Sequence, residues 1–377
     1  MNVKIMNKSH FPIVIDGIVF PSFQEVDYIV RDEAHFRLVR SDKNLRIGKH
    51  NNLLYKQKNG LVQGKKYNFI YDALSQHAGA AYIYAIEALA NPVIKHLDNA
   101  QFYNIPLPGP NGKGLNMRYF NSARINQQGK CQVGPHDIFI SHGIGDKNYW
   151  IAEKIKDFKF AFCPGPTWKN RMLNTGYKGE IFITGYPKLD PIFQNQIKRT
   201  KRKKPYIAWL PTHGYSSKNR GRSSYPFFNE YIKKIPTSLY EIGNGMHPTT
   251  KLHSNRKQLP TMQELADADV VIADAGSTVY EAWSLGIPVI FPDWICKESV
   301  LNHFKHDKKN LEYMIYSKQI GYHANDIKQL IDLIEVALNK GMKDEEKEFI
   351  NGVFPKSLRG NSGKETAKAI KEIGSTI

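Results

Sequence analysis

From about residue 65 onward, short apolar runs alternate with longer helical segments, and this alternation constrains the fold more than any other feature. A parallel strand pair needs a crossover long enough to hold a helix, and strands covered on both faces read as unbroken apolar runs. Candidate strands lie at 67–71, 137–140, 158–162 and 180–184, with an Ala-rich helix at 78–96. A second series begins with a strand at 206–210, a helix near 225–234, a strand at 239–242, a helix at 262–266 and a strand at 270–273. It continues through a helix at 278–285 and a strand at 288–291, then ends in helices at 327–339, 345–351 and 364–373. Two such series in 377 residues, long for a single core, predict two α/β domains with parallel sheets. Ligands of open parallel sheets sit at the carboxyl ends of the strands, so the expected site is a cleft between the domains.

Residues 1–64 read differently. Asp16-Gly17 between Ile13-Val14-Ile15 and Ile18-Val19-Phe20 is a hairpin signal, and the stretch reads as a small β-rich appendage. The first α/β domain then covers 65–200 and the second 201–377. Between them, the basic run from Lys198 to Lys204 serves either as a solvated linker or as an anion-binding stripe carried by Lys198, Arg199 and Arg202.

Charge narrows the partners. Lys and Arg total 53 against 35 acidic residues, a formal +18, well beyond the roughly 2–8 that keeps a small domain soluble. Such a field attracts polyanions: nucleic acid, an anionic membrane surface or a phosphate-rich polymer. No apolar run approaches the length of a membrane span, and the amino terminus lacks the apolar core of a secretory signal. Cys131, Cys163 and Cys296 are scattered, without metal-ligand spacing, and fit a reducing compartment. A cytoplasmic protein is expected, with peripheral contact at the inner membrane face left open.

One segment carries the clearest chemistry. The run Asp269-Val270-Val271-Ile272-Ala273-Asp274 is a buried strand ending in an acid, Ala275-Gly276-Ser277-Thr278 is the turn, and a helix follows up to Gly286. Gly276 permits a tight turn, while Ser277 and Thr278 are good caps at a helix start whose free N–H groups bind phosphate. Glu281 lies about one turn later, where its carboxylate can accept from both hydroxyls of a ribose held beside that phosphate.

Four more motifs stand at strand ends. Ser141-His142-Gly143 leads through Gly145 to Lys147, and a histidine placed there can act as a general base near neutral pH. Thr184-Gly185-Tyr186-Pro187-Lys188-Leu189-Asp190 ends the first domain's last strand. Pro211-Thr212-His213-Gly214 and Met246-His247-Pro248 follow strands of the second domain, and imidazoles there can donate to diphosphate oxygens.

The segment Ala275–Ala282 with Leu285-Gly286-Ile287-Pro288 resembles the nucleotide-binding signature of GT-B glycosyltransferases. The order of all five motifs is similar to that of the CDP-glycerol glycerophosphotransferases, the teichoic acid primases and polymerases. His142, Gly143 and Lys147 match one motif of that family. Thr184, Gly185, Pro187 and Asp190 match a second, with Lys188 in place of arginine. Pro211-Thr212 and His247-Pro248 match two more, and Asp274, Ser277 and Thr278 approximate the last. His213 stands where the family has arginine, and the β-rich appendage stands where it has a membrane-associating segment. UDP-N-acetylglucosamine epimerases share the architecture.

The resemblance implies a GT-B-like fold, two Rossmann-like domains facing a cleft, with the acceptor on the first and a nucleotide donor on the second. It implies a transferase moving a glycosyl or glycerophosphate group from a CDP-glycerol-like or UDP-sugar donor to a hydroxyl of a polyanionic, teichoic-type acceptor. His142 and His247 are the expected catalytic residues. Gly143, Lys147, Thr212, His213, His247, Asp274, Gly276, Ser277, Thr278 and Glu281 would hold the donor. Lys188, Lys198, Arg199 and Arg202 would face the acceptor or another anion. No metal and no cofactor beyond the donor substrate are expected, since no His-rich cluster is present. Two other classes fit the charge: a glycosyltransferase acting on a hydroxylated DNA base, and a non-catalytic polyanion-binding module.

Overall fold

A computed structural model describes residues 65–70, 79–103, 114–119, 133–146, 151–212, 222–243 and 261–376, together with five short strands between residues 2 and 47. Those strands are β1 (Asn2–Asn7), β2 (Ile13–Ile15), β3 (Ile18–Phe20), β4 (Glu25–Ile29) and β5 (Leu45–Ile47). β1 is flanked by β4 and β5, antiparallel to both, and β2 pairs with β3 so that Ile15 faces Ile18, as a two-residue Asp-Gly connection requires.

Two wholly parallel sheets form the body. The first holds β6 (Tyr67–Ile70), β7 (Ala100–Tyr103), β8 (Leu115–Tyr119), β9 (Asp137–Ile140), β10 (Phe160–Cys163) and β11 (Glu180–Ile183), in the order β11-β10-β9-β8-β6-β7. The second holds β12 (Tyr206–Trp209), β13 (Glu241–Gly243), β14 (Val270–Ile272), β15 (Val289–Pro292) and β16 (Tyr322–Ala324), in the order β13-β12-β14-β15-β16. The α/β class and the pair of Rossmann-like sheets expected from the alternation are therefore present.

Strands β7, β8 and β16 escape the apolar-run criterion, and the reason for β8 is visible. Its Asn116 is half-buried and its Arg118 buried although both are polar, and Asp137 at the start of β9 accepts from Asn116 Nδ2 (2.8 Å) and Arg118 Nε (2.6 Å). Asn68 of β6 extends the ladder by donating to Asn116 Oδ1 (3.0 Å). A buried ion pair and the amides beside it thus tie three neighbouring strands together.

The core explains how the sheets are joined. One apolar cluster runs without interruption from Phe69, Met117 and Phe139 of the first sheet to Val271 and Phe291 of the second and to Tyr280 and Trp283 on the helix Ser277–Ser284. A separate cluster fills the opposite face of the second sheet, between Ile207, Trp209 and Ile290 and the helices Tyr225–Tyr231 and Ile327–Lys340. The last helix, Ser362–Thr376, returns to the first sheet and packs on the helix Gly79–Ile94, contributing Ala367, Ile370 and Ile373. No described helix is long and apolar enough to cross a membrane.

Glu346 closes the seam beneath Trp283, accepting the indole N–H (2.6 Å) and the Lys343 amide (2.6 Å). Burial raises its carboxyl from an ordinary value near 4.5 to about 7, against the opposing pull of those donors. Between these two values the folded chain keeps a proton that the unfolded chain has released. Its contribution to stability therefore falls as pH rises from about 4.5 to about 7 and is constant above. Urea unfolding at pH 5 and pH 8 should show a stability difference between the two conditions that shrinks in Glu346→Gln, and an unchanged difference would remove this assignment.

Candidate functional site

The second domain's contribution starts at Asp274, just past the end of β14. Its fully buried carboxylate accepts from the amides of Thr212 (2.9 Å), Ala275 (2.7 Å) and Ser224 (2.6 Å) and from Ser224 Oγ (2.9 Å). Desolvation pushes this carboxyl up while those donors pull it back. Asp274 thereby ties the carboxyl ends of β12 and β14 together and faces inward. The chain then turns at Gly276, whose φ of 91° lies in the left-handed region and whose amide donates to Glu312 Oε1 (3.1 Å). Helix Ser277–Ser284 begins immediately afterwards, with Ser277 and Thr278 half-buried at its amino end.

The first domain brings its own strand-end loop to this corner. After β9, Ser141 Oγ donates to Gly143 O (2.7 Å), folding the loop back beside the half-buried His142. The amides of Ile144 (3.1 Å) and Gly145 (3.3 Å) then converge on Ser277 Oγ across the domain boundary. The approach is closer than any side chain would allow. A Cβ at Gly143 would stand 2.6 Å from Ser277 Oγ, and one at Gly145 would stand 2.8 Å from the carbonyl carbon of Gly276 and the amide of Ser277. Asp146 completes the junction: it pairs with Arg171 Nε (2.5 Å) and accepts the amide of Leu311 (3.1 Å), while Arg171 also pairs with Asp307.

The segment after β11 supplies a second bridge. Tyr186 Oη (2.9 Å) and Lys188 Nζ (2.7 Å) both donate to Oε1 of Glu281, one turn into the donor-segment helix. Glu281 is 1% exposed and Lys188 is largely covered, so this is a shielded ion pair between domains. Asp190 accepts the amides of Ser362 (3.2 Å) and Gly363 (2.7 Å), capping the last helix. The Thr184–Asp190 motif thus holds the donor segment with one side and the last helix with the other.

Neither a family model nor a curated protein sequence matches the chain. Solved structures do. A variant of the wall teichoic acid polymerase TagF is similar at a TM-score of 0.53 and 11% identity, covering 86% of this chain and 92% of that one. Another TagF variant, soaked with CDPG, is similar at 0.50 and 12% identity, covering 91% and 98%. The UDP-GlcNAc 2-epimerase of Methanocaldococcus jannaschii, in complex with UDP-GlcNAc and UDP, is similar at 0.48 and 16% identity over 82% and 99%. The chain has the GT-B fold of TagF.

Of the residues expected from the sequence, Gly143, Gly276, Ser277, Thr278, Glu281 and Lys188 come together at this corner, with His142 beside it. Thr212 donates its amide to Asp274 at the edge of this corner. The basic run is elsewhere, at the amino ends of the second sheet's strands. There Arg199 pairs with Asp269 and Arg202 pairs with Asp267 and Glu241 and stacks on Tyr206, while Lys198 is exposed. Lys147, His213 and His247 lie outside the described residues. Tyr186, Asp146, Arg171 and Glu312 were not singled out. The first two sit inside motifs that were, whereas nothing local marks the other two.

The Gly145 contact yields a direct test. Gly145→Ala forces a methyl group against backbone that cannot rotate away, which should cost about 1–3 kcal/mol of stability. A urea midpoint equal to that of the unsubstituted chain would show that the two loops are not held at this spacing.

Proposed function

We propose that the chain is a transferase that moves a glycosyl or glycerophosphate group from a nucleotide-diphosphate donor to a hydroxyl of a polyanionic acceptor. One observation carries this reading: the strand-end loops of both sheets meet at the amino end of helix Ser277–Ser284, with the Ile144 and Gly145 amides of the first directed at Ser277 Oγ of the second. A helix start carries unpaired N–H groups and a positive partial charge, and both favour phosphate. The Ile144 and Gly145 amides, which now donate to Ser277 Oγ, are donors of the kind that phosphate oxygens accept. A diphosphate at this corner would be held by those amides, Thr278 and the helix start, with its ribose toward Glu281.

His142, at the carboxyl end of β9, would take the proton of the acceptor hydroxyl as that oxygen attacks the transferred group. As the new bond forms, the bond from sugar to diphosphate would break for a glycosyl group, or the P–O–P bond within the diphosphate for a glycerophosphate group, and the helix start with His247 would stabilise the charge on the departing nucleotide phosphate. The roles of Lys147, Thr212, His213 and His247 in donor binding follow the resemblance to the CDP-glycerol family, and likeness to a TagF variant soaked with CDPG supports a donor of that class. No metal or further cofactor is invoked. A polyanionic acceptor accords with the formal charge of +18.

The test is ligand-induced stabilisation followed by turnover. CDP-glycerol or UDP-glucose at about 100 times its Kd should stabilise the folded chain by about 2.7 kcal/mol, seen as a rise in melting temperature. Absence of a shift with either, and with CDP and UDP, would overturn the reading. Once turnover is established, His142→Ala should lower kcat by about 10²–10⁴ with little change in donor affinity; full activity would remove the base assignment.

A further inference from the structure

The pairing at Glu281 is asymmetric, and the asymmetry has a chemical meaning. Both protein donors, Tyr186 Oη and Lys188 Nζ, land on Oε1. A carboxylate oxygen offers two lone-pair positions, so Oε1 is filled from the first domain while both positions of Oε2 remain for a ligand. Oε2 has no hydrogen-bond donor among the described residues, although the Glu281 side chain as a whole is 1% exposed.

The supporting side is built rather than incidental. Lys188 sits between Pro187 and Leu189, both buried, in a segment fixed by the Ser362 Oγ bond to the Tyr186 amide (3.0 Å) and by Asp190 on the last helix. Tyr186 is itself buried, and its hydroxyl is pushed well above its ordinary range by burial and by the neighbouring Glu281 charge, so it remains a donor. Glu281 is consequently held in one orientation by residues of the opposite domain.

We infer that Tyr186 and Lys188 are positioning residues that set the donor's sugar specificity, by fixing Glu281 so that Oε2 accepts from the cis-diol of a ribose. The inference rests on the nucleotide reading given above. It adds that ribose recognition belongs to both domains jointly: the first domain never touches the ribose, yet it aims the group that does.

Isothermal calorimetry with CDP and 2′-deoxy-CDP, and with UDP and 2′-deoxy-UDP, tests it on the full chain. The unsubstituted protein should bind each ribose form at least about tenfold more tightly than its deoxy partner, the loss expected for one hydrogen bond to a charged acceptor. Lys188→Met keeps the stem and removes the donor. It should bring that ratio to within about twofold while the deoxy affinity changes little, and Lys188→Arg should restore it. Tyr186→Phe should reduce the ratio in the same direction. A ratio retained in Lys188→Met, with the fold intact by circular dichroism, would make Lys188 a strut between domains and overturn the inference alone. If the unsubstituted chain bound none of the four nucleotides, the nucleotide reading and this inference would fall together.

Discussion

The architecture depends on one close approach, between the backbone at Gly145 and the backbone at Gly276-Ser277. Two sheets whose strands end at a common boundary need a contact that fixes their spacing, and here the spacing is that of main chain on main chain. Side chains would separate the loops by several ångströms. The Ile144 and Gly145 amides would then lose Ser277 Oγ, and Glu281 would lie out of reach of Lys188. Around this point the polar anchors act in series. Asp274 gathers the ends of β12 and β14, Glu312 holds the Gly276 amide, and Asp146 with Arg171 fixes the facing loop.

Polar groups at the boundary are expensive to bury, and the structure offsets that cost by pairing them within an apolar surround. The cluster that starts at Phe69 and Phe139 continues past the junction to Tyr280 and Trp283, so the ion pairs are flanked by packed aromatic rings. Paired buried charges contribute more to defining an arrangement than to net stability, because removing either partner strands the other. Lys188 with Glu281 and Arg171 with Asp146 and Asp307 therefore specify how the domains dock, while the shared core supplies the adhesion.

How far the sequence speaks for this molecule follows from which forces act locally. Strands β10, β12, β14 and β15 are unbroken apolar runs, and the turn at Gly276 is written in consecutive residues, although Gly276 itself is the N-cap and Ser277 and Thr278 are the first helical residues without a side-chain cap bond. Strand β8 is hidden because its polar Asn116 and Arg118 are accommodated by Asp137, a partner on another strand. The same limit applies at the site. Ser277 and Glu281 are legible as helix-start residues, but their engagement by Ile144, Gly145, Tyr186 and Lys188 is a tertiary fact with no local signal. The basic run reads from the sequence as either a linker or an anion stripe, and in the structure Arg199 and Arg202 pair with acids at the amino ends of the second sheet's strands, partners that lie far away in sequence.

The return of helix Ser362–Thr376 to the first sheet bears on how the chain is made. Its apolar residues cover the surface beside helix Gly79–Ile94, and Asp190 caps its amino end. Domains made in order along a chain ordinarily fold as each is released from the ribosome. Here the first sheet cannot be fully sheltered until the second has been translated and residues 362–376 have emerged. During synthesis the first half must wait with an apolar flank uncovered.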